Sequence, residues 1–116
     1  MEERICESDI NWLKELEQTI NDMVLERNLT VDKIAQSLSV SSSHLTRKLK
    51  LLTGLTPKKY INEVKMLQAR QMIETGDYSS VKAIAYSVGF SSEKVFSRNF
   101  KARYGKSPSE YLKKRF

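Results

Sequence analysis

Ile10, Leu13, Leu16, Ile20 and Met23 recur at intervals of three and four residues, with polar residues between them. That spacing puts one apolar stripe on a helix from about Asp9 to Glu26. A shorter stripe follows, Val31, Ile34, Ala35 and Leu38, behind Thr30, whose hydroxyl can cap a helix over Val31–Leu38. Ser41 can cap a third helix that ends at Gly54, a residue suited to the left-handed position closing a helix. Thr56-Pro57 then restarts the pattern with a capping hydroxyl and a proline at the first helical position. The fourth helix is long, reaching about Thr75, with Tyr60, Ile61, Val64, Leu67, Met72 and Ile73 for packing and Gly76 as its stop. The pattern predicts helices nearly throughout.

The pattern then returns. Val31, Ile34 and Ala35 correspond to Val81, Ile84 and Ala85 at an offset of 50. Arg47, Leu49 and Lys50 correspond to Arg98, Phe100 and Lys101 at an offset of 51, and the match continues through Gly54/Gly105, Pro57/Pro108 and Tyr60/Tyr111. The second copy therefore carries one extra residue near the start of its second helix. Each copy reads as a short helix, a turn and a second helix. Ala35 and Ala85 fall where two helices must cross closely, while Leu45 with Leu49, and Phe96 with Phe100, point back into a core at four-residue spacing. This is the layout of a helix-turn-helix, whose second helix is offered to the major groove of DNA. About seven helices follow: an acidic N-terminal helix over 1–27, which either packs on the domain or serves as a connector or dimer contact, a first helix-turn-helix over 28–56, a linker helix over 57–76, and a second helix-turn-helix with a closing helix over 77–116.

Charge sharpens the picture. The formal net of +6 is unevenly placed: residues 1–26 hold two bases and eight acids, and the remainder holds eighteen bases and six acids. A segment that basic suits a polyanionic partner, because neutralising phosphates releases counterions. A solvated basic surface is the alternative on charge alone. No apolar run approaches the ~18 residues of a membrane span, so no membrane contact is expected of this segment. Cys6 is the only cysteine, which excludes an intrachain disulfide and fits a reducing cytoplasm. His44 is the only histidine and lacks ligand-spaced neighbours, so it reads as a surface or DNA-flanking imidazole rather than a metal ligand. No phosphate loop, carboxylate pair or nucleophile–base set is present, so neither an enzyme nor a cofactor is expected. Trp12 reads as packing.

In the first copy IAQSLSVSSSHLTRKLKLLTGLTPKKYI, and in the second IAYSVGFSSEKVFSRNFKARYGKSPSEYL, resemble the DNA-binding domain of the AraC/XylS family over about residues 28–115. Gly89-Phe90, Phe96, Arg98, Phe100, Lys101, Gly105, Pro108 and Tyr111 carry the more specific half of that resemblance. It implies an all-α, homeodomain-like fold of two helix-turn-helix subdomains. It also implies a cytoplasmic transcription regulator, by family habit an activator, with double-stranded DNA and RNA polymerase as partners. The RKLKLLTGLTP wording is similar to output domains of hybrid two-component regulators, which implies an upstream sensor or receiver domain. Two departures stand out. Ser39 occupies the turn position held by Gly89 in the second copy, where a left-handed backbone costs a serine more. Lys65 replaces the family's usual arginine, and the two bases are not interchangeable.

Geometry and resemblance together select the interface residues. Ser43, Thr46 and Arg47 lie away from Leu45 and Leu49, and Lys94, Ser97 and Arg98 are their counterparts, with Glu93 beside them. These are the base-reading candidates; Arg47 and Arg98 lead, since a guanidinium can bridge guanine N7 and O6. Glu93 either accepts from a cytosine amino group or trims local charge. Ser42, Lys48, Lys50, Ser92, Lys101 and Arg103 are phosphate candidates. Ser41 and Ser91 are expected to cap the two second helices, with Ser42, Ser43 and Ser92 in the first turns where free N–H groups favour an anion. The linker helix rises about 27 Å against the roughly 34 Å between successive major-groove segments, so two grooves can be engaged if the DNA bends to meet any shortfall. A helical adaptor whose basic face docks on an acidic protein is the rival reading.

Overall fold

The computed structural model describes residues 7–23, 29–76 and 80–114. Among them are seven helices and no strand: α1 (Glu7–Met23), α2 (Val31–Ser37), α3 (Ser42–Thr53), α4 (Pro57–Thr75), α5 (Val81–Ser87), α6 (Glu93–Tyr104) and α7 (Pro108–Lys114). The expected end of the first helix, residues 24–26, lies outside the described residues, as does Cys6. Two compact units divide the chain within α4, after Val64.

The first unit gathers Leu16 and Ile20 of α1, Ile34 and Ala35 of α2, Leu45 and Leu49 of α3, and Val64 of α4 into one core. The second gathers Met66, Ala69 and Ile73 of α4, Ile84, Ala85 and Val88 around α5, and Phe96 and Phe100 of α6. Ala35 is 1% exposed and Ala85 is fully buried, so each stands at its helix crossing as the repeat requires. The expected packing stripe of α4 is corrected at Leu67, which is 44% exposed, while Met66 and Ala69 have no exposure at all. A single stripe through 60, 64 and 67 presumes one core. This helix serves two, and the step from Val64 to Met66 breaks the three-and-four series where one core ends and the other begins.

Local chemistry sets the helix ends. Thr30, Ser41, Ser80 and Ser92 each accept a backbone N–H three residues on, from Lys33, His44, Ala83 and Val95, at 3.1–3.2 Å. The cap of α6 is thus Ser92 and not the expected Ser91. The turns of the two copies make matching bonds, Val40 N–H to Ala35 O at 3.0 Å and Phe90 N–H to Ala85 O at 2.9 Å. The extra residue therefore falls between Phe90 and the cap, and Ser91 is that residue. Ser92→Ala is expected to cost about 1 kcal/mol of stability and Ser91→Ala close to nothing. Chemical denaturation of the two variants, side by side, checks the register.

Gly54 and Gly105 close α3 and α6 in the left-handed region, at φ 79° and 82°, donating to the carbonyls of Lys50 and Lys101 at 2.8 Å. Ser39 is a non-glycine residue at positive φ, 59°, where Gly89 adopts 89° in the second copy. The turn geometry is the same in both, and the first copy accepts the serine's backbone cost to make it. At α7, Ser107 and Glu110 form a capping box: the Glu110 carboxylate accepts the Ser107 N–H and the Ser107 hydroxyl accepts the Glu110 N–H, each at 3.3 Å. Those bonds from Ser107 hold the Glu110 carboxyl below its ordinary pKa.

Candidate nucleic-acid interface

A second helix can read DNA only if its inner face is held and its outer face is free. In α3 the inner face is Leu45 and Leu49, each 1% exposed. Ser43, Thr46, Arg47 and Lys50 are all exposed on the other side. Thr46 donates its hydroxyl to the Ser42 carbonyl at 2.8 Å, which holds its oxygen against the helix rather than extending it. In α6 the inner face is Phe96 and Phe100, fully buried, and Glu93, Lys94, Arg98 and Lys101 are exposed, with Ser97 half-buried. Each unit thus brings its own set of base-reading candidates onto one accessible helix face. The leucine pattern of α3 is not uniformly inward, since Leu51 is 69% exposed one turn beyond Arg47.

The aromatic core under α6 is continuous. Phe100 lies 5.7 Å from Phe96, 4.8 Å from Tyr104 and 5.4 Å from Tyr111, ring centre to ring centre. Tyr104 in turn has the guanidinium groups of Arg70 and Arg103 at 5.1 and 5.0 Å from its ring centre. Arg103, a phosphate candidate, is exposed and partly steered by that ring. Lys65 places its ammonium 5.3 Å from the Phe90 ring centre. Burial pushes its pKa down, and the lysine meets the ring as a single point charge without arginine's fork.

Besides Arg103, three of the phosphate candidates have intramolecular partners. The Ser42 hydroxyl is hydrogen-bonded to the Asp32 carboxylate, which sets an anion beside the start of α3. Ser92 spends its oxygen as the α6 cap. Lys48 turns to α1, with its ammonium 3.9 Å from an Asp9 oxygen and 4.7 Å from the Trp12 ring centre. Lys50 and Lys101 remain exposed. Lys58 and Lys59, outside the set expected from the sequence, are both exposed in the first turn of α4. Two cations there oppose the helix dipole. His44 is exposed on α3, and among the described residues no group of three or more His, Cys, Asp or Glu is placed to hold a metal ion. Among the same residues no helix is long and apolar enough to cross a membrane.

A family model described as a helix-turn-helix domain matches residues 34–114. The structure superposes on that of an AraC-type transcriptional regulator from Chromobacterium violaceum with a TM-score of 0.82, at 29% identity over 93% of this chain and 95% of that one. The chain belongs to the AraC-type helix-turn-helix family. Other likenesses extend the comparison. The DNA-binding domain of AdpA, solved with a target DNA, superposes with a TM-score of 0.74 at 29% identity, covering 87% of this chain and 89% of that one. "Histidine kinase P4" of Formosa agariphila is 33% identical over 92% of this chain, and the transcriptional activator RhaS of Escherichia coli 38% identical over 68%. The chain spans only 8% of the first relative's length and 28% of the second's. The family's helix-turn-helix match begins at Ile34, so α1 lies ahead of it.

Proposed function

We propose that this AraC-type domain binds double-stranded DNA sequence-specifically and regulates transcription in the cytoplasm, without catalysis, each unit presenting its recognition helix to a major-groove segment. One observation carries the reading: two hairpins with the same caps, turns and buried pairs expose Arg47 and Lys50 in one copy and Arg98 and Lys101 in the other. An incidental helical hairpin has no reason to keep the same cationic pair on the outer face twice. Arg47 and Arg98 read guanine edges, with Ser43, Thr46, Lys94 and Ser97 flanking them. Glu93 sits among them as an acceptor for a cytosine amino group or a local charge trim. Lys50, Lys101, Arg103, Lys58 and Lys59 contact phosphates.

The likeness to RhaS supports activation, hence a contact with RNA polymerase. The likeness to a histidine kinase many times longer supports placement of this domain behind a sensor or receiver. The 1–27, 28–56, 57–76 and 77–116 division serves this purpose as connector, first reader, spacer and second reader. Selection of bound duplexes from a random pool, followed by hydroxyl-radical footprinting on the winner, tests the reading. Protection of two major-groove segments is the expected result. Binding indifferent to duplex sequence would favour a basic docking face for an acidic protein, and protection of one segment would remove one of the two readers.

A further inference from the structure

Lys48 stands on the flank of α3, one residue past Arg47 and one turn past the exposed His44. A lysine there is well placed to reach a phosphate beside the groove that α3 enters, yet its ammonium is directed at α1. Asp9 supplies the charge and Trp12 the ring face, from successive turns of that helix. One and two turns past Trp12, Leu16 and Ile20 of the same helix share a core with Leu45 and Leu49 of α3. α1 is thus anchored in the first core by Leu16 and Ile20, with Trp12 and Leu13 packed at its edge, and its N-terminal half also meets one of the recognition helix's cations. The Lys48 and Asp9 side chains are 29% and 23% exposed. The ion pair is long, at 3.9 Å, and neither it nor the cation–ring contact is fully buried, so each is individually weak, as a reversible contact must be.

We propose that the first half of α1 is a latch that withholds Lys48 from DNA. A segment ahead of α1 that displaces its first two turns frees the lysine, which adds one phosphate contact to the first recognition helix and tightens binding on all sequences. The inference rests on the DNA-binding reading, and α1, ahead of the family match, becomes the route by which an upstream event reaches the reader.

The counterion slope of DNA binding tests it. Each phosphate neutralised steepens the dependence of log K on log salt by about 0.9, so an added contact costs roughly a further threefold in affinity between about 50 and 200 mM salt. Asp9→Asn/Trp12→Leu, measured on the selected duplex, is expected to steepen the slope by about that amount and to bind more tightly at the low-salt end. Adding Lys48→Met to that pair returns the slope to the wild-type value, and Lys48→Met alone leaves it unchanged. If the double variant fails to fold by circular dichroism, Asp9→Asn alone carries the test with the same sign. A wild-type slope in the released variants, or a shallower one in Lys48→Met alone, overturns the latch while leaving DNA binding intact. Failure of the wild-type protein to select any duplex overturns both.

Discussion

Phe100→Ala is expected to lower the stability of the second unit by about 3–5 kcal/mol. The side chain is fully buried and its ring meets those of Phe96, Tyr104 and Tyr111, so truncation opens a cavity lined by rigid rings that cannot collapse into it. Against a typical total of about 5–15 kcal/mol, that loss is large enough to unfold much of the unit near physiological temperature. The first unit has its own core and contains Trp12, the only tryptophan. Trp12 fluorescence should therefore report the first unit while far-UV circular dichroism reports both. The expected result in urea is two transitions that no longer coincide, with the fluorescence midpoint nearly unmoved. Transitions that stay superimposed and shift together would mean that the two cores melt as one.

The second large effect belongs to the proposed readers. Arg98→Ala and Arg47→Ala are each expected to weaken binding to the preferred duplex by about 1–3 kcal/mol and to relax the preference at one base pair. Both side chains are exposed on a helix whose opposite face is clamped by buried pairs, Phe96 with Phe100 and Leu45 with Leu49, so removing either leaves the scaffold intact. Lys50→Ala and Lys101→Ala should instead weaken all duplexes alike and flatten the salt slope by about one unit each. Equal losses on specific and random duplexes for the arginine changes would assign them to phosphate and leave base reading to the shorter side chains around them. Competition titrations at two salt concentrations separate these outcomes.

Much of this candidate interface is legible in the chain because it is made of local rules written twice. A hydroxyl ahead of an apolar stripe caps a helix, a glycine after it permits the left-handed turn, and a four-residue spacing decides which side faces in. The outward placement of Arg47 and Arg98 follows from those rules. The shift of the α6 cap from Ser91 to Ser92 was less accessible, because two adjacent serines satisfy the same local rule. The bond from Phe90 N–H to Ala85 O, which fixes where the turn ends, distinguishes them.

The amino-acid sequence by itself determined the helices, the duplication, the αL ends at Gly54 and Gly105 and the outward faces of α3 and α6, since each depends on residues within a turn or two of one another. Tertiary structure decided which side of α4 is buried, with Met66 and Ala69 in and Leu67 out, because one helix completes two cores and no single period describes it. It also decided that Lys48 faces Asp9 and Trp12 and that Ser42 meets Asp32. Those partners stand many residues apart along the chain, and only packing sets the distance between them.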